Sequence, residues 1–274
     1  MIVRRVVVAT AAPGAAAALA TAVELARAMH ADLRGVFVES TDLLALATLP
    51  FAGEVGFPSP GRRALDVESM QRGLRAQARR VERELASVVA GRPLRWSFDV
   101  VRSRMTAELF AEAGATDLAV VAWSRAAGAT AGLARALRAF RGATVPLLLV
   151  AEHLRRPLSV AVVPPPSFDP AVLADALDAL WPRYGRAALI VDVAPASARR
   201  EALRRRVDRL LAGRGLAPRF RRLGHALDLP ALVALEAPRL IVPLIGDEED
   251  REAAVDALEC PVLLLPAVRR GTTA

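Results

Sequence analysis

Asp117-Leu-Ala-Val-Val121 leads to Val145-Pro-Leu-Leu-Leu-Val150, and later Pro238-Arg-Leu-Ile-Val-Pro243 leads to Cys260-Pro-Val-Leu-Leu-Leu265. In each pair a short apolar run is followed, after a gap of helical length, by a second run that a proline introduces. Working outward, the openings match as well: Arg5-Val-Val-Val-Ala9 against Leu158-Ser-Val-Ala-Val-Val163. A chain that repeats its own organisation in this way decides architecture before any local reading does.

Around those anchors the first half alternates strands and helices. Strands are expected over residues 2–9, 32–38, 94–101, 117–122 and 146–150, and helices over 15–30, 65–90, 104–113 and 131–142. The helix 65–90 is the clearest, because Val67, Met70, Leu74, Ala78, Val81, Leu85 and Val88 recur every three or four positions on one face. The second half repeats the alternation, with strands at 158–163, 187–193, 218–223, 239–244 and 261–265 and helices at 170–181, 198–212, 228–236 and 248–258. Asp169-Pro170 offers a side-chain cap followed by a proline in the first turn, and Pro182 is expected to end that helix. Parallel neighbours need crossover helices, so the pattern implies an α/β fold of two tandem domains, residues 1–152 and 157–268. Each is expected to hold a five-stranded parallel sheet flanked by helices. Aligned by strands, the second repeat lacks about 32 residues between its second and third strands and about seven between its fourth and fifth.

Composition narrows the classes. The chain has 274 residues, 54% hydrophobic and 24% charged, enough to bury sizeable cores. No long uncharged apolar run predicts a membrane span. The single cysteine, Cys260, falls in an expected core strand and fits a reducing cytoplasm. The net charge of +8 points toward nucleic acid. All 37 basic residues, however, are arginine, and those of 199–209 alternate with Glu201 and Asp208, as on a solvated helix face. Nucleic-acid association is therefore the weakest of three functional readings.

The segments Arg4-Arg-Val-Val-Val-Ala9, Ala22-Val-Glu-Leu-Ala26, Leu33-Arg-Gly-Val-Phe-Val-Glu39 and Asp117-Leu-Ala-Val-Val121, with Thr144-Val-Pro146 and Glu259-Cys-Pro261 before the last strands, resemble the universal stress protein family in its tandem, Rossmann-like form. Members of that family that bind ATP carry an aspartate just after the first strand. They also carry a loop after the fourth strand patterned Gly-x-x-Gly, nine residues, then Gly-Ser or Gly-Thr. Here the aspartate position falls at Ala11, and the loop reads Ala122-Trp-Ser-Arg-Ala-Ala-Gly128-Ala-Thr-Ala-Gly132. Ser124, Arg125, Gly128 and Gly132 remain as a residual anion site, which leaves ATP or AMP open for the first domain. In the second, Pro164-Pro165-Pro166 offers no backbone donor. Its fourth strand runs into Gly246-Asp247-Glu-Glu-Asp250, acids that repel a polyphosphate.

Nothing points to catalysis. His30, His153 and His225 have no partner spacing, and no metal-ligand, nucleophile-elbow or Walker motif occurs. The expected activity is non-catalytic binding of a protein partner, without a cofactor. The alternative is a nucleotide-binding sensor that uses only the first domain, with weak ATP hydrolysis. The resemblance further implies an intrachain pseudo-dimer joined by antiparallel last strands, with Leu148 and Leu264 buried together, and leaves a homo-oligomer open. The apolar insertion 40–64, with Leu43, Leu44, Leu46, Leu49, Phe51, Val55 and Phe57, is expected to fold onto its own sheet beside the helix 65–90, with a lid or docking role as the alternative.

Overall fold

The computed structural model describes residues 3–10, 15–49, 53–55, 62–64, 66–103, 114, 117–123, 145–151, 159–166, 168–193, 198–245, 247–258 and 260–266. Their strands are β1 Arg5–Thr10, β2 Asp32–Ser40, β3 Gly53–Val55, β4 Arg62–Ala64, β5 Trp96–Ser103, β6 Asp117–Trp123, β7 Leu147–Ala151, β8 Val160–Val163, β9 Ala187–Val193, β10 Ala217–Leu223, β11 Leu240–Ile245 and β12 Val262–Leu264. The helices are α1 Ala16–Ala28, α2 Thr41–Ala47, α3 Val67–Val89, α4 Pro170–Tyr184, α5 Ala198–Gly213, α6 Leu229–Glu236 and α7 Glu248–Ala257, with a 3-10 turn Ala226–Asp228 before α6. The helices expected over 104–113 and 131–142 lie outside the described residues.

Ten strands form one sheet in the order β10-β9-β11-β8-β12-β7-β6-β1-β2-β5, and β3 and β4 form a separate antiparallel hairpin. Within the ten-stranded sheet pairing is parallel throughout each half and antiparallel only at the central seam, β7 with β12. The fold is thus α/β, a mostly parallel sheet flanked by helices. At the seam Leu148 stands opposite Leu263, not Leu264. Strand alternation sends Leu148 and Leu263 into the front core and Leu147, Leu149 and Leu264 into the back core. The expected Leu148–Leu264 contact was therefore one residue out of register.

The front core runs unbroken across the seam. Leu19 and Val23 of α1, Leu74, Val81 and Leu85 of α3, Leu173 and Leu177 of α4 and Val207 and Leu211 of α5 share one apolar cluster, and α1 packs against α4. Leu229 and Val233 of α6 and Ala254 and Val255 of α7 cover the back. The Asp66 side chain caps α3, accepting from Ser69 N–H at 2.9 Å and Glu68 N–H at 3.3 Å.

Two local expectations are corrected. Pro182 does not end α4, which runs on to Tyr184. A proline in a last turn removes one N–H, and the chain turns only at Gly185, φ 85°, whose N–H bonds the Trp181 carbonyl. The insertion contains α2 and the β3–β4 hairpin, neither of which its apolar run announced. Leu44 packs against the front core and Ala47 is buried, while Leu46 and Leu49 remain exposed.

Candidate functional site

In an open α/β sheet, ligands enter at the carboxyl ends of two neighbouring strands whose onward connections part. The first half has such a point. β1 and β6 are neighbours, β1 continues to β2 on one side, and β6 continues to β7 on the other. Their amino ends are fastened. Arg5 lies in register with Asp117 and donates to it through Nε at 3.2 Å and through the second guanidinium nitrogen at 2.5 Å, while Gly114 N–H donates to the same carboxylate at 2.8 Å. The hydrogen bond to Asp117 raises the Arg5 pKa against the opposing effect of burial.

The carboxyl ends of β1 and its other neighbour, β2, are polar. Thr10, Glu39 and Ser40 are buried, and Glu39 accepts from Arg102 Nε at 2.8 Å across the register of β2 and β5. The Thr41 hydroxyl, where α2 begins, is buried without a hydrogen-bond partner among the described residues. Ala11 and the four loop residues, Ser124, Arg125, Gly128 and Gly132, lie outside the described residues. The Glu39–Arg102 pair was not anticipated. Its signal was an acid directly after the apolar stretch Val36-Phe-Val38, which calls for a basic partner on the next strand over.

The second half is built differently at the corresponding place. β8 and β11 are again neighbours but have exchanged positions: β9, which follows β8, lies beyond β11, and β12, which follows β11, lies beyond β8. The onward connections therefore cross over the strand pair instead of parting. α4 passes on the front and α7 on the back. The β8–β11 ladder is also short, matching only Leu240 and Ile241 with Val160 and Ala161, whereas β1–β6 matches Arg5 through Ala9. Backbone chemistry explains this. Val160 N–H bonds the Arg239 carbonyl, so by alternation residues 239, 241 and 243 face β8, and residue 243 is a proline with no N–H to give. Beyond the ladder's end Val162, Val163, Val242 and Leu244 remain buried, and the buried acid at this level, Asp192 of β9, lies in register with Leu244.

The segments that leave β8 and β11 are rich in proline and in acids respectively. Pro164 and Pro165 are buried. Asp247 caps α7, its carboxylate accepting from Asp250 N–H at 2.8 Å, and α7 opens with Glu248, Glu249 and Asp250. The helix end that would attract an anion already holds one. Among the described residues no group of histidine, cysteine and acidic side chains is placed to hold a metal ion, and no helix is long and apolar enough to cross a membrane.

No family model matches the chain, and no curated protein matches it. Its fold is nevertheless similar to solved structures. A universal stress protein from Archaeoglobus fulgidus DSM 4304 superposes with a TM-score of 0.64 over 96% of this chain and 96% of that one, at 11% identity. A provisionally assigned universal stress protein from Pseudomonas aeruginosa UCBPP-PA14 superposes with a TM-score of 0.52 over 96% of this chain and 93% of that one, at 14% identity. The fold is that of the universal stress proteins.

Proposed function

We propose that this chain acts by binding rather than by catalysis, as a stress-associated regulatory protein whose second half takes no ATP. Residues 1–152 and 157–268 are, in this reading, two universal-stress-type domains paired as a pseudo-dimer within one chain, and the partner is another protein. The observation that carries the reading is the exchange of β8 and β11, which removes the parting of connections on which a nucleotide crevice depends. The blocked α7 terminus supports it.

A second reading draws on the first half, where the β1–β6 crevice is kept and an orphan hydroxyl, Thr41, lies near the strand ends. In that reading the chain is a nucleotide sensor using only its first domain, with weak ATP hydrolysis. The test is the nucleotide content of the purified full-length chain after acid release, followed by calorimetric titration with ATP and AMP. The expected result is no bound nucleotide and no saturable heat. About one nucleotide per chain would replace the proposal with the sensor reading, and about two would overturn the claim for the second half.

A further inference from the structure

The two outer edges of the sheet are built in opposite ways. In β10, Ala217 N–H bonds the Arg186 carbonyl toward β9, so by alternation residues 218, 220 and 222 turn their backbone groups outward. Pro218 has no N–H to offer. Arg222 lies 3.8 Å from Glu201, and Arg204 covers the Phe220 ring at 4.8 Å. Proline and charge are what keep an edge from accepting another strand.

β5 has no proline along its length, and its charged residues, Asp99 and Arg102, are paired back to Arg34 and Glu39 of β2. The Arg95 carbonyl accepts from Leu33 N–H, so Trp96, Phe98, Val100 and Arg102 turn their N–H and C=O groups outward. No described strand pairs with that side. Trp96 and Val100 are 39% and 49% exposed. Beside them, between α3 and the strand, runs a groove of about 280 Å³ lined by Arg75, Arg79 and Glu82 of α3 and by Phe98 and Val100.

We propose that the β5 edge is a self-association surface, which pairs antiparallel with β5 of a second copy of this chain about a two-fold axis at Val100. Three features select a second copy. Centring on Val100 sets Val100 against Val100 and Asp99 against Val101, so no like charges face each other. The groove places the stretch of α3 from Arg75 to Glu82 alongside Phe98 and Val100. The same axis therefore reverses α3 about its middle and brings Arg75 of each copy opposite Glu82 of the other. The spacing also fits. α3 packs on β2, and in the joined sheet the two β2 strands lie three strand spacings apart, roughly 14 Å. That is wider than the roughly 8–10 Å of direct helix contact, and Trp96, Phe98 and Val100 of both copies fill the difference.

The experiment is sedimentation velocity and light scattering on the full chain across a concentration series. A dimer is expected. Val100→Lys sets two like charges at the axis and is expected to weaken it about tenfold or more. Glu82→Arg and Arg75→Glu should each weaken it too, and the double variant Arg75→Glu/Glu82→Arg should restore it. All three positions are exposed, and circular dichroism and the Tm of each variant verify that folding is intact. A wild-type chain that stays monomeric at every concentration overturns the proposal, as does a dimer indifferent to Val100→Lys. Loss at Val100→Lys without rescue by the double reversal overturns the antiparallel two-fold.

Discussion

Gly35 lies in β2 where α3 crosses it, and a methyl group at its Cα would stand 2.6 Å from Leu85 Cδ2 and 2.9 Å from Phe98 Cδ2. Real carbon contacts are not that short, so something must move. Leu85 is fully buried in the front core and has nowhere to go, whereas the Phe98 ring stands on an edge strand. Gly35→Ala is therefore expected to destabilise the fold by about 1–3 kcal/mol, because the ring can swing aside but Leu85 cannot. Chemical denaturation with an unchanged m-value checks it, and an unchanged midpoint would mean that α3 rides higher on the sheet. The periodicity of α3 was legible from Leu74, Ala78, Val81 and Leu85. That the helix needs a glycine beneath it was not, because Gly35 and Leu85 are far apart in sequence.

At the scale of elements, α4 and α5 are clipped together by one residue beyond the end of α5. Arg214 donates to Asp175 at 2.7 Å and to Asp178 at 2.6 Å, one helical turn apart on α4. Burial pushes the Asp175 carboxyl up, the Arg214 hydrogen bond and charge are among the effects that pull it down, and the net result lies below its ordinary value. The Arg214 guanidinium is raised in turn, chiefly by its hydrogen bonds to Asp175 and Asp178. Since the folded carboxyl is the stronger acid, the unfolded chain takes up the proton first as pH falls. The stabilisation is thus complete above the ordinary aspartate value of about 3.9 and is lost as pH drops through the folded value. The Tm difference between wild type and Arg214→Gln is expected to be small, because the groups are partly exposed, and to shrink on acidification below about pH 4. A difference that is constant from neutral to strongly acid pH would exclude the clip.

For the whole molecule, the seam matters most. β7 and β12 each complete the other's ladder, and the cluster holding Leu148 and Leu263 continues from α1 into α4. A chain ending at residue 152 would expose the apolar run of β7 as a bare edge, the usual template for unwanted strand pairing. Expressed alone, residues 1–152 are expected to self-associate or precipitate, and co-expression with residues 153–274 should return a soluble complex of the size of the intact chain. A monomeric, soluble first half would show that the seam is dispensable.

Much of this was already written in the linear chain. Apolar runs announced most strands of the main sheet, their spacing required crossover helices, and the repetition divided the strands into two sets of five. The acids at the start of α7 and the prolines after β8 were legible too, because capping and the missing N–H are properties of the residues themselves. Three features of strand pairing were not. The hairpin β3–β4 has strands too short to show alternation. The seam register slipped by one residue because a run such as Leu147-Leu-Leu-Val150 does not mark which side chains face which core. The exchange of β8 with β11 escaped for a related reason. A strand buried on both faces looks the same to every neighbour. Neighbours in a sheet are chosen by contacts between segments distant in the chain, and those exist only once the whole is folded.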